Sequence, residues 1–355
     1  MLRINYYISG HGYGHATRSA QLISALLSSS PTTHVTIIST APTHLFPTSP
    51  RVSFLSQEVD SAIIQPQPYT IDAVTSFANL AAFLATAETQ EWQAKMDAIL
   101  EGTECNLVLA DAPYPIAWTG AKKRGIKSIL FSNFTFDAIF EELLTYLPAC
   151  GRDAEREMVD NIEKLYAGYD YAVRLPGYIP FPFAEKYWSL EDRKRRLVDA
   201  PLVFRPARKG REEVLEELGI PREMFKWRIL LVQFGGQASE KSGDRQIPNL
   251  PEGWICLSSE EVDDKRFFRF PKDVYSPDLV GAADVVLGKI GYGTVSECVG
   301  ENGTCEEISV AEYEAGDWAR TIERVFQAQE KSKVVKIDEG SSRAAGMIET
   351  LARDI

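Results

Sequence analysis

The sequence predicts an α/β protein with two Rossmann-like domains that face each other across a cleft. Short β-rich runs alternate with helical runs in both halves of the chain, and such alternation is typical of parallel sheets covered by helices. Three glycine turns, in residues 9–18, 234–239 and 288–297, each follow a strand-like run. Because open parallel sheets bind ligands at the carboxyl ends of their strands, these turns mark the candidate site.

The first strand, turn and helix occupy residues 4–27, INYYISGHGYGHATRSAQLISALL. Residues 4–9 are apolar and aromatic enough for a buried strand, and residues 16–27 have the apolar spacing of a helix. Further strands are predicted at 34–40, 51–55, 106–111 and 128–133, with helices at 77–100 and 117–125. This order predicts parallel pairing, with helices on both faces of the sheet.

The alternation returns in the second half of the chain. The prolines of YIPFPF, residues 178–183, break regular structure, and the segment from there to residue 206 is expected to connect two domains. Beyond it we predict helices at 211–220, 318–329 and 341–353, strands at 228–237, 253–259 and 267–270, and a strand, turn and helix at 283–299. The expected domains are residues 1–180 on the N-terminal side, residues 181–340 on the C-terminal side, and a terminal helix in residues 341–355.

Composition and charge exclude several classes of protein. The chain has 355 residues, 45% of them hydrophobic, and a formal net charge of −12, which argues against a nucleic-acid binder that relies on phosphate contacts. No run reaches the ~20 apolar residues of a membrane span, and the N-terminus lacks the apolar core of a signal peptide. The five cysteines are scattered and never form CxxC, so we expect free thiols, a cytoplasmic location and no bound metal.

The first glycine turn, GHGYGH, contains Gly10, Gly12 and Gly14. Glycines let the backbone approach a ligand, and a helix that follows offers free N–H groups to phosphate, although many strand–helix joints use glycine only to turn. The turn is not a GxGxxG fingerprint, and the next predicted strand ends in Ser-Thr instead of a ribose-binding acid, so NAD is a poor fit. The chain also has no GxxxxGK[ST] motif, so the parts for kinase chemistry are absent.

Two of the four histidines, His11 and His15, flank this turn. An imidazole can take a proton from a hydroxyl near neutral pH, and such a base needs an orienting partner. Asp111 is a candidate because it ends another predicted strand at the same edge of the sheet. The alternatives are a structural hydrogen-bonding role for the histidines and a helix N-cap role for Asp111.

The chain resembles a known family in segments spread over most of residues 1–298. These are YYISGHGYGHATR, NLVLADAPYP, ILFSNFTFDAIFEE, YAVRLPGYIPFP, APLVFRPARKGREEVLEELGI, ILLVQFGGQ and VVLGKIGYGTVSE. They resemble the GT-B glycosyltransferase-like region at the N-terminus of plant-type L-arabinokinases. More distantly, GHGYGH and GYGTVSE are similar to the acceptor-side and donor-side loops of the GT-B N-acetylglucosaminyltransferase of bacterial cell-wall synthesis. The kinase half of arabinokinases has no counterpart here, so the resemblance does not imply sugar kinase activity.

The resemblance implies a nucleotide sugar held mainly by the C-terminal domain. The turn that meets the diphosphate is matched by Gly291, Tyr292, Gly293 and Thr294, and the carboxylate that accepts the ribose hydroxyls by Glu297. The first loop of the same domain, also near the phosphates, is matched by Gly235, Gly236 and Gln237.

On the acceptor side, the resemblance matches His15 to a general base and Asp111 to its orienting acid. The leaving diphosphate can then be stabilised by N–H dipoles without a metal. The chain departs from the GT-B pattern after Val299, where a strand and a helix of the donor domain are expected but the sequence passes directly into the terminal helices.

The function predicted from the sequence is glycosyl transfer from a UDP-type sugar, as co-substrate, to an unknown hydroxyl of a small molecule or glycan. No further cofactor is expected. One alternative is a catalytically inactive relative that binds a nucleotide sugar or a protein partner. Another is a different nucleotide-dependent enzyme with a two-domain cleft, such as a sugar epimerase.

Overall fold

The computed structural model describes residues 1–67, 70–114, 119–148, 152–234, 248–271, 273–289, 291–301, 308–331 and 337–353. The chain divides into two compact units. The first comprises Met1–Pro66, Ile71–Val203 and Gly340–Ile355, and the second comprises Gln67–Thr70 and Phe204–Glu339. Each unit contains one parallel sheet with helices, which confirms the predicted α/β class with two Rossmann-like domains.

The first unit is built on seven parallel strands. They are β1 (Arg3–Ile8), β2 (His34–Ser39), β3 (Val52–Ser56), β4 (Leu107–Asp111), β5 (Lys127–Ser132), β6 (Tyr171–Arg174) and β7 (Leu197–Asp199). The helices of this part are α1 (Tyr13–Ser29), α2 (Ala73–Ala87), α3 (Gln90–Thr103), α4 (Thr119–Lys123), α5 (Phe136–Leu143), α6 (Asp153–Tyr166), α7 (Pro182–Tyr187) and α8 (Leu190–Arg196). Strands β1, β4 and β5 are almost entirely buried, as expected for parallel strands covered on both faces.

The strand order of this sheet is β3-β2-β1-β4-β5-β6-β7. The chain runs outward from β1 to β3 and then crosses back to β4 on the other side of β1, so the order reverses between β1 and β4. In open α/β sheets the crevice at this reversal point is where ligands bind. The turn after β1 and the last residue of β4 are therefore both at the expected binding edge.

The second unit has a smaller parallel sheet. Its elements and the closing helix of the chain are α9 (Arg211–Glu217), β8 (Arg228–Gln233), β9 (Trp254–Ser258), β10 (Phe267–Arg269), α10 (Ser276–Ala282), β11 (Val285–Gly288), α11 (Tyr292–Gly300), α12 (Val310–Glu314), α13 (Ala319–Lys331) and α14 (Ser341–Arg353). The strand order is β10-β9-β8-β11. The strand order reverses between β8 and β11. In the sequence, the second and third predicted glycine turns come directly after these two strands.

The segment predicted to be an irregular connection is instead part of the first unit. Residues 178–206 include α7, α8 and the edge strand β7, which pairs with β6, and the two compact units divide after Val203. Proline stands at the start of α7, where it does not interrupt a helix. Phe183 and Trp188 are buried in the core of the first unit, and burial of these large rings is what holds the segment there.

Two helix predictions are also corrected in detail. The single helix predicted at 77–100 is two helices, because Thr89 starts α3 as its N-cap and accepts a hydrogen bond from the backbone N–H of Trp92 (3.3 Å). The terminal helix, predicted as a separate element, belongs to the first unit as α14. Its Glu349 accepts a hydrogen bond from Ser29 at the end of α1 (2.6 Å), and Ile348 is fully buried.

Candidate functional site

The N-terminal loop, residues 9–12, is held between β1 and α1 by its two glycines. A Cβ atom at Gly10 would lie 1.9 Å from Oγ1 of Thr40, and Gly12 has a φ of 94°, which favours glycine. Helix α1 then begins at Tyr13, so Gly14 lies in its first turn. Gly10 and Gly12 therefore fix where His11 and His15 enter the site.

His15 and Asp111 are brought together, as the sequence predicted. Nδ1 of His15 lies 3.0 Å from Oδ1 of Asp111, and the two residues are 7% and 0% exposed. The His15 ring also packs edge-on against Phe134, with the ring centroids 5.1 Å apart. This pairing gives the imidazole a fixed orientation at the binding edge of the sheet.

Arg18 joins this pair and was not predicted. It is 3% exposed, and its Nε donates to Oδ2 of Asp111 (2.6 Å) while Nη2 donates to Oδ1. Nη2 also lies 2.8 Å from Nδ1 of His15, and Nη1 donates to the side chain of Asn133. Arg18 is part of the GHGYGHATR segment and lies three residues after His15. In a helix that spacing places both side chains on the same face, so it could have indicated the contact.

Two serines complete the surroundings of Asp111. Ser132 donates to Oδ1 (3.0 Å) and Ser19 donates to Oδ2 (3.2 Å). Burial would raise the pKa of Asp111, but the charges of Arg18 and His15 and their hydrogen bonds together outweigh burial and hold the pKa well below its ordinary range. Asp111 is therefore a buried, ionised acceptor for several donors, and the helix N-cap alternative does not describe these contacts.

His11 forms a second histidine–carboxylate pair, with Asp60. Nε2 of His11 lies 3.2 Å from Oδ1 of Asp60, and the side chains are 27% and 2% exposed. Burial lowers the pKa of His11, but the hydrogen bond to Asp60 and its charge outweigh burial and raise the pKa above its ordinary value. Asp60 was missed because residues 57–63 have no strand or helix, so no pattern placed this carboxylate at the site.

In the second unit, the predicted donor turn leads directly into α11. Gly291 is the N-cap and has no side-chain capping bond, and Tyr292, Gly293 and Thr294 form the first turn. A Cβ atom at Gly291 would meet no atom within 4 Å. The first turn of a helix has free backbone N–H groups and the positive end of the helix dipole, so it suits an anion.

Glu297 lies one turn further along α11 and is paired with an arginine that was not predicted. Nε and Nη2 of Arg205 contact Oε1 of Glu297 at 2.9 and 2.8 Å. The Glu297 side chain is 4% exposed, and its burial raises the pKa in spite of the opposing charge of Arg205. The guanidinium carbon of Arg205 also lies 5.4 Å from the ring centroid of Tyr275.

The remaining predicted donor residues, Gly235, Gly236 and Gln237, lie outside the described residues. Within the described ranges, no group of three or more His, Cys, Asp or Glu side chains is arranged to hold a metal ion. A search of the same ranges finds no helix with the length and apolar character needed to cross a bilayer.

The sequence of this chain is similar to that of L-arabinokinase of Arabidopsis thaliana. The two are 34% identical over 303 residues, which is 83% of this chain and 27% of the relative. The chain thus spans about a quarter of the length of that relative. No protein-family model matches the chain.

Solved structures with similar folds include several glycosyltransferases. CalG4, the calicheamicin glycosyltransferase, is 13% identical, with a TM-score of 0.56 and 99% of both chains covered. UGT89C1 of Arabidopsis thaliana, solved with UDP, is 13% identical, with a TM-score of 0.55 and coverage of 100% of this chain and 99% of that one. A UDP-glucosyltransferase of Polygonum tinctorium is also 13% identical, with a TM-score of 0.55 and 99% of both chains covered.

At these identities the structural likeness concerns the fold, whereas the likeness to L-arabinokinase is one of sequence. Both agree with the predicted resemblance to the GT-B-like region of plant-type L-arabinokinases. The chain therefore has the two-domain, Rossmann-like GT-B fold and is similar in sequence to a segment of L-arabinokinase.

Proposed function

We propose that this chain transfers a sugar from a UDP-type nucleotide sugar to a hydroxyl group of a small molecule or glycan. The observation that carries the proposal is the position of Glu297, one helical turn after the uncapped start of α11 in a Rossmann-like unit. This arrangement would present the N–H groups of Gly293 and Thr294 to a diphosphate and a carboxylate to ribose hydroxyls. UDP bound to UGT89C1 and the UDP-glucosyltransferase of Polygonum tinctorium support the choice of nucleotide.

On the donor side, the backbone N–H groups of Gly293 and Thr294, in the first turn of α11, would hold the diphosphate. Oε2 of Glu297 would accept the ribose hydroxyls, since both Arg205 contacts are made to Oε1. Residues 235–237 are proposed as the second loop near the phosphates. As the sugar leaves, the bond between the anomeric carbon and the phosphate oxygen breaks, and N–H groups stabilise the negative charge that develops on UDP.

On the acceptor side, the glycine turn of Gly10, Gly12 and Gly14 would border the acceptor. The acceptor oxygen forms the new bond to the anomeric carbon, and its proton passes to an imidazole of the same turn, His15 or His11. Asp111 and Arg18 both lie against Nδ1 of His15, at 3.0 and 2.8 Å, and together they fix the position of its ring. General-base help of this kind contributes about 10²–10⁴-fold to a rate.

The test is the release of UDP from a panel of UDP-sugars, with sugar and phenolic alcohols as acceptors. We expect turnover by the unaltered chain, and a decrease of at least tenfold in kcat/KM in Glu297→Gln, which keeps the shape of the side chain but removes its charge. The matched control is Glu216→Gln, since Glu216 is an exposed carboxylate of the same unit, paired with Arg222. Equal kcat/KM in Glu297→Gln and the unaltered chain would contradict the assignment of the ribose carboxylate.

A specific observation supports a second candidate function, a binder of nucleotide sugars without transferase activity. Both predicted carboxylates, Asp111 and Glu297, are already paired with arginines, Arg18 and Arg205. A binder would show an increase in Tm with UDP, and not with ADP, while releasing no UDP from any UDP-sugar. Sugar kinase activity is not proposed, because the chain covers only 27% of L-arabinokinase.

A further inference from the structure

We propose that the proton acceptor of the N-terminal turn is His11, positioned by Asp60, and that Arg18 keeps His15 as a hydrogen-bond donor. The inference rests on the proposed function, because it names the group that takes the proton of the acceptor hydroxyl. It reverses the role that the sequence resemblance gives to His15.

The carboxylate of Asp111 accepts hydrogen bonds from several donors other than His15. A carboxylate has about four acceptor positions, two on each oxygen. Oδ2 receives Nε of Arg18 and the hydroxyl of Ser19, and Oδ1 receives Nη2 of Arg18 and the hydroxyl of Ser132. The two donors on Oδ1, the oxygen that lies 3.0 Å from Nδ1 of His15, fill its two positions without His15, so a hydrogen on Nδ1 of His15 would be in excess.

Nη2 of Arg18 has two hydrogens, and only one of them is donated to Asp111. Guanidinium nitrogens donate and never accept. Nη2 lies 2.8 Å from Nδ1 of His15 and 3.3 Å from Oγ of Ser132, so the shorter contact assigns the other hydrogen to His15. Nδ1 therefore presents its lone pair to Arg18, and the neutral ring has its hydrogen on Nε2. Neither nitrogen of this ring has a lone pair left for an acceptor proton.

His11 differs from His15 in the surroundings of its carboxylate partner. Its partner, Asp60, is almost fully buried, and the structure shows no Lys or Arg nitrogen within 4.0 Å of its carboxylate among the described residues. Oδ2 of Asp60 is buried without a hydrogen-bond partner in that part of the chain. The negative charge of Asp60 is therefore available to stabilise a protonated His11, which is how a carboxylate assists an imidazole base.

The two histidines also differ in their exposure to solvent. The side chain of His11 is 27% exposed, whereas that of His15 is 9% exposed. With Nε2 of His11 donating to Asp60, the lone pair of the neutral ring is on Nδ1, the other ring nitrogen. The charged groups that act on His11 are Asp60 and, more weakly, Glu58, and both favour its protonated form. A pKa close to the working pH is what a general base requires.

The experiment has an NMR arm that does not depend on turnover. Histidine is labelled with ¹⁵N in the full chain, and the ring nitrogens are followed from pH 5.5 to 8.5 in the unaltered chain, Asp60→Asn and Arg18→Lys. We expect His11 to titrate with a midpoint above 6.5, and the midpoint to fall in Asp60→Asn. We also expect neutral His15 to have its proton on Nε2. A proton on Nδ1 of neutral His15, or a His11 midpoint that Asp60→Asn does not move, would overturn the inference.

The kinetic arm measures UDP release against pH for His11→Gln, His15→Gln and Asp60→Asn, with exposed His44 replaced in His44→Gln as the matched control. We expect a decrease in kcat of about 10²-fold or more in His11→Gln. Gln can still donate a hydrogen bond at position 15, so His15→Gln should stay within about tenfold. Asp60→Asn should move the acidic limb of the pH profile to lower pH, which a merely structural role would not do.

The two proposals fail in different ways. If the unaltered chain releases no UDP, the proposed function is wrong, and the NMR tautomers alone decide whether His11 or His15 has the free lone pair. If turnover is present and His15→Gln loses 10²-fold while His11→Gln does not, glycosyl transfer stands and the inference is overturned.

Discussion

Asp137 is a buried carboxylate that should weaken the fold at neutral pH. It lies in the first turn of α5 and is fully buried, and its Oδ2 accepts a hydrogen bond from the backbone N–H of Phe183 (3.2 Å). Burial raises its pKa to about 6 from an ordinary value of 3.8. The nearby charge of Glu163 acts in the same direction.

The folded chain thus binds this proton more tightly than the unfolded chain does. Stability should therefore fall as the pH rises from about 4 to about 6 and stay lowered above that. A difference of about 2 pK units is worth about 3 kcal/mol, at about 1.4 kcal/mol for each unit. In Asp137→Asn the amide oxygen can still accept the Phe183 N–H, and the charge is gone, so we expect a gain of up to about 3 kcal/mol at pH 7.5.

The assay is thermal unfolding of the unaltered chain and Asp137→Asn at pH 4 and pH 7.5. For a unit of this size, the gain corresponds to an increase in Tm of roughly 5–10 °C at pH 7.5, and most of it should disappear at pH 4. Asp273→Asn, at an exposed position, is the matched control and should change Tm little at either pH. A lower Tm for Asp137→Asn at pH 7.5, or the same gain at both pH values, would refute the reasoning.

Two further predictions concern single contacts. Arg18→Met should lower the free energy of unfolding by about 3–5 kcal/mol at pH 8, because it leaves the buried Asp111 carboxylate without its cation. The loss should be smaller at pH 5, where Asp111 of the variant takes up a proton. Urea unfolding at both pH values measures the free energy of unfolding. Gly288→Ala should lower the Tm strongly, since its Cβ would lie 1.9 Å from the backbone oxygen of Gln233. At Gly291 a Cβ meets no atom within 4 Å, so Gly291→Ala should keep the Tm. It should, however, weaken UDP binding as measured by calorimetry.

Each of these has a control in the chain. Arg222→Met removes a cation of the second unit that is 84% exposed, and surface ion pairs contribute only ~0–1 kcal/mol, so a loss as large as that of Arg18→Met would contradict the argument from burial. For the glycines, equal Tm values for Gly288→Ala and Gly291→Ala would show that the approach of β11 to β8 at Gln233 is not close.

The parts of the fold that follow local pattern were predictable from the sequence. The helix predicted at 341–353 is α14, residue for residue, and the strand at 106–111 is β4 within one residue. Both have the apolar period of their element and clear ends. The connection predicted at 178–206 differs from the structure because prolines favour a break in regular structure, whereas burial of Phe183 and Trp188 decides the structure of this segment. That burial is a tertiary effect, which no local period contains.

The candidate site was predictable where chain topology alone brings residues together. His15 follows β1 and Asp111 ends β4, and these are neighbouring strands of a parallel sheet, so their approach follows from the strand order. The arginines were not predictable in this way. In the sequence, Arg18 and Arg205 look like ordinary surface charges, and only their contacts with the buried carboxylates of Asp111 and Glu297 show that each forms an ion pair.

These two ion pairs have different consequences for the carboxylates they hold. Asp111 receives donors on both oxygens from three residues of its own unit, so it is an anchor that a ligand would have to dismantle. Oε1 of Glu297 accepts a hydrogen bond from Nε of Arg205 (2.9 Å) and lies 2.8 Å from its Nη2. The charge of Arg205 opposes the rise in the pKa of Glu297 that burial causes, although burial is the larger effect. Under the proposed function, Glu297 would therefore offer an oxygen to a ribose hydroxyl, whereas Asp111, with donors on both oxygens, would take no part in proton transfer.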